Sequence, residues 1–217
     1  HDALPISGIS ALKNGAGIGS RSVSGAVVNG LYDLWGTDPN HIWGAGSRVT
    51  QSGALLEWVG ANGTVTYNSN LGGGRCGSIW GIDANNVWAL CQPGTIEKWN
   101  GATWSSQPSG TSRSLYDLWG SDVNNLWAVG DGGTIVKWNG ASWSAQTSGT
   151  TITLHGLWGS DANNVFAVGE QGTIVKWNGS SWSTQASGTK ANLNSIWGAD
   201  ARTLWTVGAG GTLLKGD

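Results

Sequence analysis

Five aspartates recur at fixed places in this chain, Asp38, Asp83, Asp122, Asp161 and Asp200. Brought onto one rim, they would form a ring of carboxylates that could hold calcium or a cationic ligand. Calcium takes six to eight oxygen ligands. Here each segment supplies one carboxylate, usually followed by Asn within two or three residues. That pattern fits an Asx-turn, in which the carboxylate caps nearby backbone N–H groups. The expectation is a ring of capped turns, with no metal and no cofactor.

Tryptophan carries the second kind of chemistry. Equivalent positions hold Trp99, Trp138 and Trp177, and again Trp104, Trp143 and Trp182. An indole face can stack on the apolar face of a sugar ring, and it can equally pack between structural units. Strict periodicity favours packing. The set Trp104, Trp143 and Trp182 is the sugar-stacking candidate, because it falls on the outermost strand of each unit.

Two cysteines, Cys76 and Cys91, flank one hairpin. If Trp80 faces Val87, then Ser78 faces Ala89 and Cys76 faces Cys91. Directly opposed residues in an antiparallel pair come within disulfide reach. A cross-strand disulfide is expected, in keeping with an oxidising compartment. The remaining catalytic inventory is thin: His1, His41 and His155, with Glu57, Glu97 and Glu170. None of these groups has zinc-site spacing, and neither a nucleophile elbow nor a phosphate loop is present.

The elements that position these residues come from a repeat. A Trp-Gly pair recurs at Trp35, Trp80, Trp119, Trp158 and Trp197, at intervals of 45, 39, 39 and 39 residues. One unit runs LYDLWGSDVNNLWAVGDGGTIVKWNGASWSAQTSGTTIT, residues 115–153, and the next is nearly its copy. Each unit parses into four strands, near 115–120, 125–130, 134–138 and 142–146. Asp131-Gly132 and Asn139-Gly140 read as two-residue hairpin turns with both residues at positive φ. Apolar residues occupy both faces of such a sheet, so both faces need cover. Radial stacking provides it. The fold expected is an all-β propeller of four-stranded antiparallel blades, with five units present. It is either a closed five-blade ring or a segment of a larger one.

Residues 8–217 form the propeller domain. Residues 1–7 are a non-repeat leader whose first six, His1 to Ile6, read as the translation of a sequencing adapter on an environmental open reading frame. Gly8 to Gly15 aligns with Gly133 to Gly140, so the repeat enters at a third strand and also leaves at one, Gly211 to Lys215. A fourth strand near the N-terminus would then be free to complete the last blade.

Composition narrows the partners. The net charge is −2, with 11 Lys and Arg residues scattered singly. Nucleic acid is not an expected partner, since no basic stripe meets phosphates. No apolar run is long enough to span a membrane as a helix. The 37 glycines and 16 tryptophans fit neither a disordered nor a collagenous chain.

Variation between units points to one rim. The second-to-third-strand turn reads Ser47 to Ser52 in one unit and Asp131-Gly132, Glu170-Gln171 or Ala209-Gly210 in others. The connector between units carries Arg75, Arg113, His155 and Lys190. Variable loops on a rigid scaffold commonly carry function. Arg48, Arg75, Arg113, Tyr116, His155 and Lys190 are therefore the ligand-binding candidates, for a glycan or a protein, in a monomer or part of a longer chain. A hydrolase or lyase using paired carboxylates at the axis is one alternative, and a purely structural spacer is another.

The string WGSDANNVFAVGEQGTIVKWNGSSW, Trp158 to Trp182, resembles the Trp-Gly repeats of secreted bacterial β-propellers. It is loosely similar to the propellers grouped with the photosystem II assembly factor Ycf48, and to WD40-like propellers. The resemblance implies an exported, non-enzymatic propeller, extracellular or periplasmic. It supplies no binding residues. The Gly-His and Trp-Asp hallmarks of WD40 units are missing, as is the sialidase Asp-box.

Overall fold

The computed structural model describes residues 28–48, 52–59, 64–68 and 74–216. The leader, the aligned segment at Gly8 to Gly15 and the N-terminal fourth strand expected there lie outside the described residues. Among the described residues, nineteen strands form five antiparallel sheets. The first sheet holds β1 (Val28–Asp38), β2 (His41–Arg48), β3 (Gly53–Val59) and β4 (Thr64–Asn68). The second holds β5 (Cys76–Asp83), β6 (Asn86–Cys91), β7 (Thr95–Trp99) and β8 (Trp104–Gln107). The third holds β9 (Leu115–Asp122), β10 (Asn125–Gly130), β11 (Ile135–Trp138) and β12 (Trp143–Gln146). The fourth holds β13 (Leu154–Asp161), β14 (Asn164–Gly169), β15 (Ile174–Trp177) and β16 (Trp182–Gln185). The last holds three, β17 (Leu193–Gly198), β18 (Leu204–Gly208) and β19 (Leu213–Gly216).

Within each sheet the strands follow chain order, and the first strands of successive sheets pack side by side, β1 on β5, β5 on β9, β9 on β13 and β13 on β17. Sheets radiating from a common line of first strands are propeller blades. The core is correspondingly a series of inter-blade layers. Trp119, Trp127, Val129 and Ile135 of the third blade meet Leu154, Leu157, Val165, Val175, Trp177 and Trp182 of the fourth. The preceding layers repeat this arrangement between the second and third blades and between the first and second. Burying an indole such as Trp127 contributes about 4–6 kcal/mol of transfer free energy.

The Trp-Gly pair is a lock between neighbours. A Cβ on Gly159 would sit 2.6 Å from the Trp119 ring of the preceding blade. The same holds for Gly81 against Trp35 and Gly198 against Trp158. In these three junctions the indole lies over the glycine of the next blade's pair, which gives a reason for the two residues to recur together, whereas a Cβ on Gly120 would meet Leu126 of its own blade instead.

Two turns differ from expectation. Asp131–Gly133 is a three-residue 3-10 turn closed by the Thr134 N–H on the Asp131 carbonyl, with positive φ at Gly132 and Gly133 rather than at Asp131. The other hairpin turns on Gly140 and Ala141, since Asn139 and Ser142 already form the closing pair. Asn139 contributes its side chain, whose oxygen accepts from the N–H groups of Ala141 and Ser142.

The end blades leave one face each uncovered among the described residues. Leu31 and Leu34 of β1 are exposed, as are Trp197, Val207 and Leu213 of the last blade. Their equivalents inside the stack, such as Leu115, Trp119 and Ile135, are buried. The described blades thus form an open arc, not the closed five-blade ring.

Candidate functional site

The connectors between blades and the second-to-third-strand turns meet on one rim. In the third blade this contact is fixed by the Asp131 N–H donating to the Ser114 carbonyl, and in the fourth by Glu170 on Thr153. The side chains at the start of each first strand rise between these loops. Tyr116 donates to the Asp131 carboxylate at 2.7 Å, and this bond, reinforced by burial, raises the phenol's pKa. Arg113 reaches the Asp131 carbonyl at 3.4 Å. The rings of Tyr116 and His155 lie 5.6 Å apart, and His155 Nε2 stands 3.6 Å from the Glu170 carboxylate.

Across the first junction the same rim opens into a cleft of about 520 Å³, lined by Tyr32, Ser47, Gly74, Arg75, Gln92, Pro93 and Ser114. The Arg75 guanidinium stacks on the Tyr32 ring at 3.8 Å, and the Tyr32 hydroxyl bonds Ser47 at 2.9 Å. The second blade carries Gly77 where the neighbours carry Tyr116 and His155, and a Cβ there would meet nothing within 4 Å. A larger, shallower recess of about 650 Å³ over Gln146–Thr151 offers only small polar groups and backbone.

The rim thus gathers Arg75, Arg113, Tyr116 and His155. Arg48 ends β2 at the same rim, and its N–H bonds the Ser52 carbonyl. Lys190 is exposed on the last connector. Residues 49–51 of the variable turn lie outside the described residues. Tyr32 and the wall residues Ser47, Gln92 and Pro93 were not among the sequence candidates. The repeated Leu-Tyr-Asp-Leu-Trp-Gly at 31–36 and 115–120 is the signal that pairs Tyr32 with Tyr116.

Trp104, Trp143 and Trp182 are at the opposite rim. They begin the fourth strands and pack against Trp99, Trp138 and Trp177 at centroid distances of 5.7, 5.7 and 5.8 Å, with the ring planes tilted by 46°, 47° and 47°. Trp143 and Trp182 are only 7% and 8% exposed, so neither offers an open face to a sugar ring; Trp104 is half-buried. The partner indoles Trp99, Trp138 and Trp177 donate to the carbonyls of Ala84, Val123 and Ala162 in the Asp-bearing turns.

Those turns are Asx-turns. Asp122 accepts from the Asn124 N–H at 2.9 Å, from the Asn125 amide and from the Ser121 hydroxyl. Burial pulls its pKa up, but these donors outweigh that, and the net shift is down, as it is at Asp161. At Asp200 the N–H groups of Arg202 and Thr203 lower it directly. Every donor is internal, and among the described residues no three acidic, His or Cys side chains cluster as metal ligands would.

Cys76 and Cys91 form a disulfide, and they are paired in the β5–β6 register. The rest of the register differs from the sequence reading: Trp80 faces Trp88 and Ser78 faces Leu90, with a bulge at Gly77 restoring the cysteine pair. The bond ties together the strand ends that carry Arg75 and Gln92.

Two carboxylates on the innermost strands escaped the sequence reading. Asp33 accepts the N–H of Leu34 and, across the blade junction, of Ile79. Asp117 accepts those of Leu118 and Leu157 at 2.8 and 2.7 Å. Burial pushes the Asp117 carboxyl up to about 7 against these bonds, and raises that of Asp33 as well. Both are occupied as staples between blades. Of the glutamates, Glu57 pairs with His41 at 2.7 Å, and Glu97 is buried with Ser106 as a donor.

No family model matches the chain, and no curated protein matches it in sequence. Solved structures do. The chain is similar to Ycf48 from Cyanidioschyzon merolae, with a TM-score of 0.61 and 21% identity over 82% of this chain and 64% of that one. A structure of Ycf48 bound to D1 peptide aligns at 0.65 and 18%, over 86% and 63%. The WD40 repeats of RRP9 align at 0.67 and 9%, over 82% and 59%. The fold is a β-propeller, similar to those of these Ycf48 and WD40 structures. The chain spans less than two thirds of the length of each of these structures.

Proposed function

We propose that this propeller is a non-enzymatic recognition module that binds an extended segment of a protein partner in the rim cleft between its first two blades. The observation that carries this reading is the cleft itself, with Arg75 held flat on Tyr32 and the polar wall of Ser47, Gln92 and Ser114 beside it. Arg and Tyr are the side chains that dominate protein-binding hot spots. The extension of the rim through Arg113, Tyr116 and His155 gives a bound segment somewhere to run. One structurally similar propeller is titled as bound to a peptide, which favours protein over glycan. The burial of Trp143 and Trp182 argues the same way. The commitment of Asp33 and Asp117 to backbone donors supports recognition over catalysis. The buried disulfide supports an extracellular or periplasmic setting.

The test is to pan a library of displayed unstructured peptides on the folded chain and on the Tyr32→Ala/Arg75→Ser variant, with a glycan array run on the same samples. Enrichment on the wild type that the variant loses is the expected result. Enrichment that survives in the variant moves the site off this cleft, and glycan binding without peptide enrichment replaces the protein reading.

A further inference from the structure

Three of the second-to-third-strand turns share one build. Asp131–Gly133, Glu170–Gly172 and Ala209–Gly211 are each closed by the N–H of the following threonine on the first carbonyl. The middle residue of each takes a left-handed backbone, with φ of 59° at Gly132, 54° at Gln171 and 65° at Gly210. Glycine adopts that conformation freely, whereas a side chain brings its Cβ against the following carbonyl. Among the described residues, Gln171 is the one residue other than glycine with a positive φ. Its backbone is held there from two sides. The Glu170 N–H donates to the Thr153 carbonyl, and the Gln171 N–H donates to the Asn192 side-chain oxygen at 3.0 Å. Gly132 makes the matching bond to the Thr153 hydroxyl. The turn thus imposes a conformation that favours glycine, and the chain carries a long polar side chain in it. That side chain is exposed and hydrogen-bonds no other described residue. Outliers of this kind concentrate at ligand clamps and active sites, where the use of the side chain outweighs the strain.

Gln171 stands at the end of a line of contacts that begins in the cleft. Ser114 lines the cleft, and its carbonyl accepts the Asp131 N–H. Asp131 accepts from Tyr116, whose ring lies beside that of His155, and His155 stands beside the Glu170 carboxylate. In the third blade, a Cβ on Gly132 would run into the Arg113 guanidinium, which covers the turn. Ile152 replaces Arg113 in the next unit, and the polar group over that turn is the Gln171 carboxamide. Both groups carry N–H donors, and the carboxamide adds an acceptor.

We propose that Gln171 is a second anchor for the bound peptide, pairing its carboxamide with the main chain of an extended segment that runs along the rim past Tyr116 and His155. The inference rests on the reading of this rim as a peptide site. A carboxamide offers an oxygen acceptor and N–H donors in one plane. That set matches the N–H and C=O groups along one edge of an extended backbone, whatever its side chains. Gln171 therefore fixes where the segment lies beyond the cleft, and selectivity between sequences stays with the cleft around Arg75 and Tyr32.

The probe is the peptide most enriched on the wild type in the selection above, synthesised with fluorescein and titrated by anisotropy. Gln171→Ala removes the carboxamide and keeps the strain, whereas Gln171→Gly removes both. Each should weaken binding by about threefold to tenfold. Gln171→Gly alone should raise the midpoint of thermal unfolding, by about 2–4 °C. A loss of binding in a variant that has become more stable separates a ligand contact from a structural role. The proposal is overturned if Gln171→Gly binds as the wild type does while Tyr32→Ala/Arg75→Ser has lost the peptide, and the cleft reading then stands by itself. A peptide that survives Tyr32→Ala/Arg75→Ser but is weakened by both Gln171 variants upholds the anchor and removes the cleft. A wild type that enriches no peptide overturns both.

Discussion

At the scale of single residues, the structure separates tryptophans that the sequence makes look alike. Trp138 is buried and its indole N–H is spent on the Val123 carbonyl, fixing the Asp122 turn. Trp143 is equally buried, but its N–H meets no acceptor among the described residues. Trp138→Phe should therefore cost about 1 kcal/mol more than Trp143→Phe in denaturant unfolding, the difference being one net hydrogen bond. Asp117 makes a second prediction, set by charge. Its carboxyl, ordinarily near 3.8, titrates at about 7 in the folded protein because burial disfavours the ion. Between those values the folded chain holds a proton that the unfolded chain has released. Its contribution to stability is thus fully present below about pH 3.8 and is lost as pH rises through about 7. Melting temperature measured from pH 5 to 8 should fall more steeply for the wild type than for Asp117→Asn, which cannot ionise. The Asp122 and Asp161 carboxyls, shifted down, act oppositely and only at more acid pH.

At the scale of elements, strand number and order were legible because the periodicity is strong and each unit repeats its neighbour. Turn geometry and register were less so. Asp131-Gly132 predicts a two-residue hairpin, but the N–H of Asp131 donates to the Ser114 carbonyl of the incoming connector. That tertiary bond imposes a longer turn. In the second blade the disulfide survives a wrong register because the bulge at Gly77 inserts one residue between the Trp80 and Cys76 pairings. Bulges are invisible to a count of alternating residues. Tyr32, Asp33 and Asp117 lie with the candidate Tyr116 in the hexapeptide shared by 31–36 and 115–120, and no sequence motif marks an aspartate whose partners are backbone N–H groups of the next blade. The Trp-Gly lock gives the element-scale prediction. Gly159→Ala would drive a methyl into the Trp119 ring, which is itself held in the third-to-fourth blade layer. Overpacking of this kind costs about 1–3 kcal/mol. Thermal unfolding should show that loss, and the paired change Trp119→Leu should recover part of it by making room.

At the scale of the molecule, each blade is sandwiched by neighbours except at the two ends. The third blade has both faces covered, with Trp127, Val129, Leu126 and Val136 all fully buried. The last blade has one face open, Trp197 being 56% exposed and Trp205 37%. A stack in which each unit contacts only its neighbours draws its stability from the interfaces, so a terminal unit lacks one of them. Local opening should then cost least at the ends of the arc. Hydrogen exchange should show β17, β18 and β19 losing protection first, while β10 and β14 exchange last, near the rate set by global unfolding. Iodide quenching should likewise reach Trp197 and Trp205 well before the interior indoles. Uniform protection across all blades would mean that the arc unfolds as one cooperative unit, with the junctions coupling the blades more strongly than the open faces weaken them.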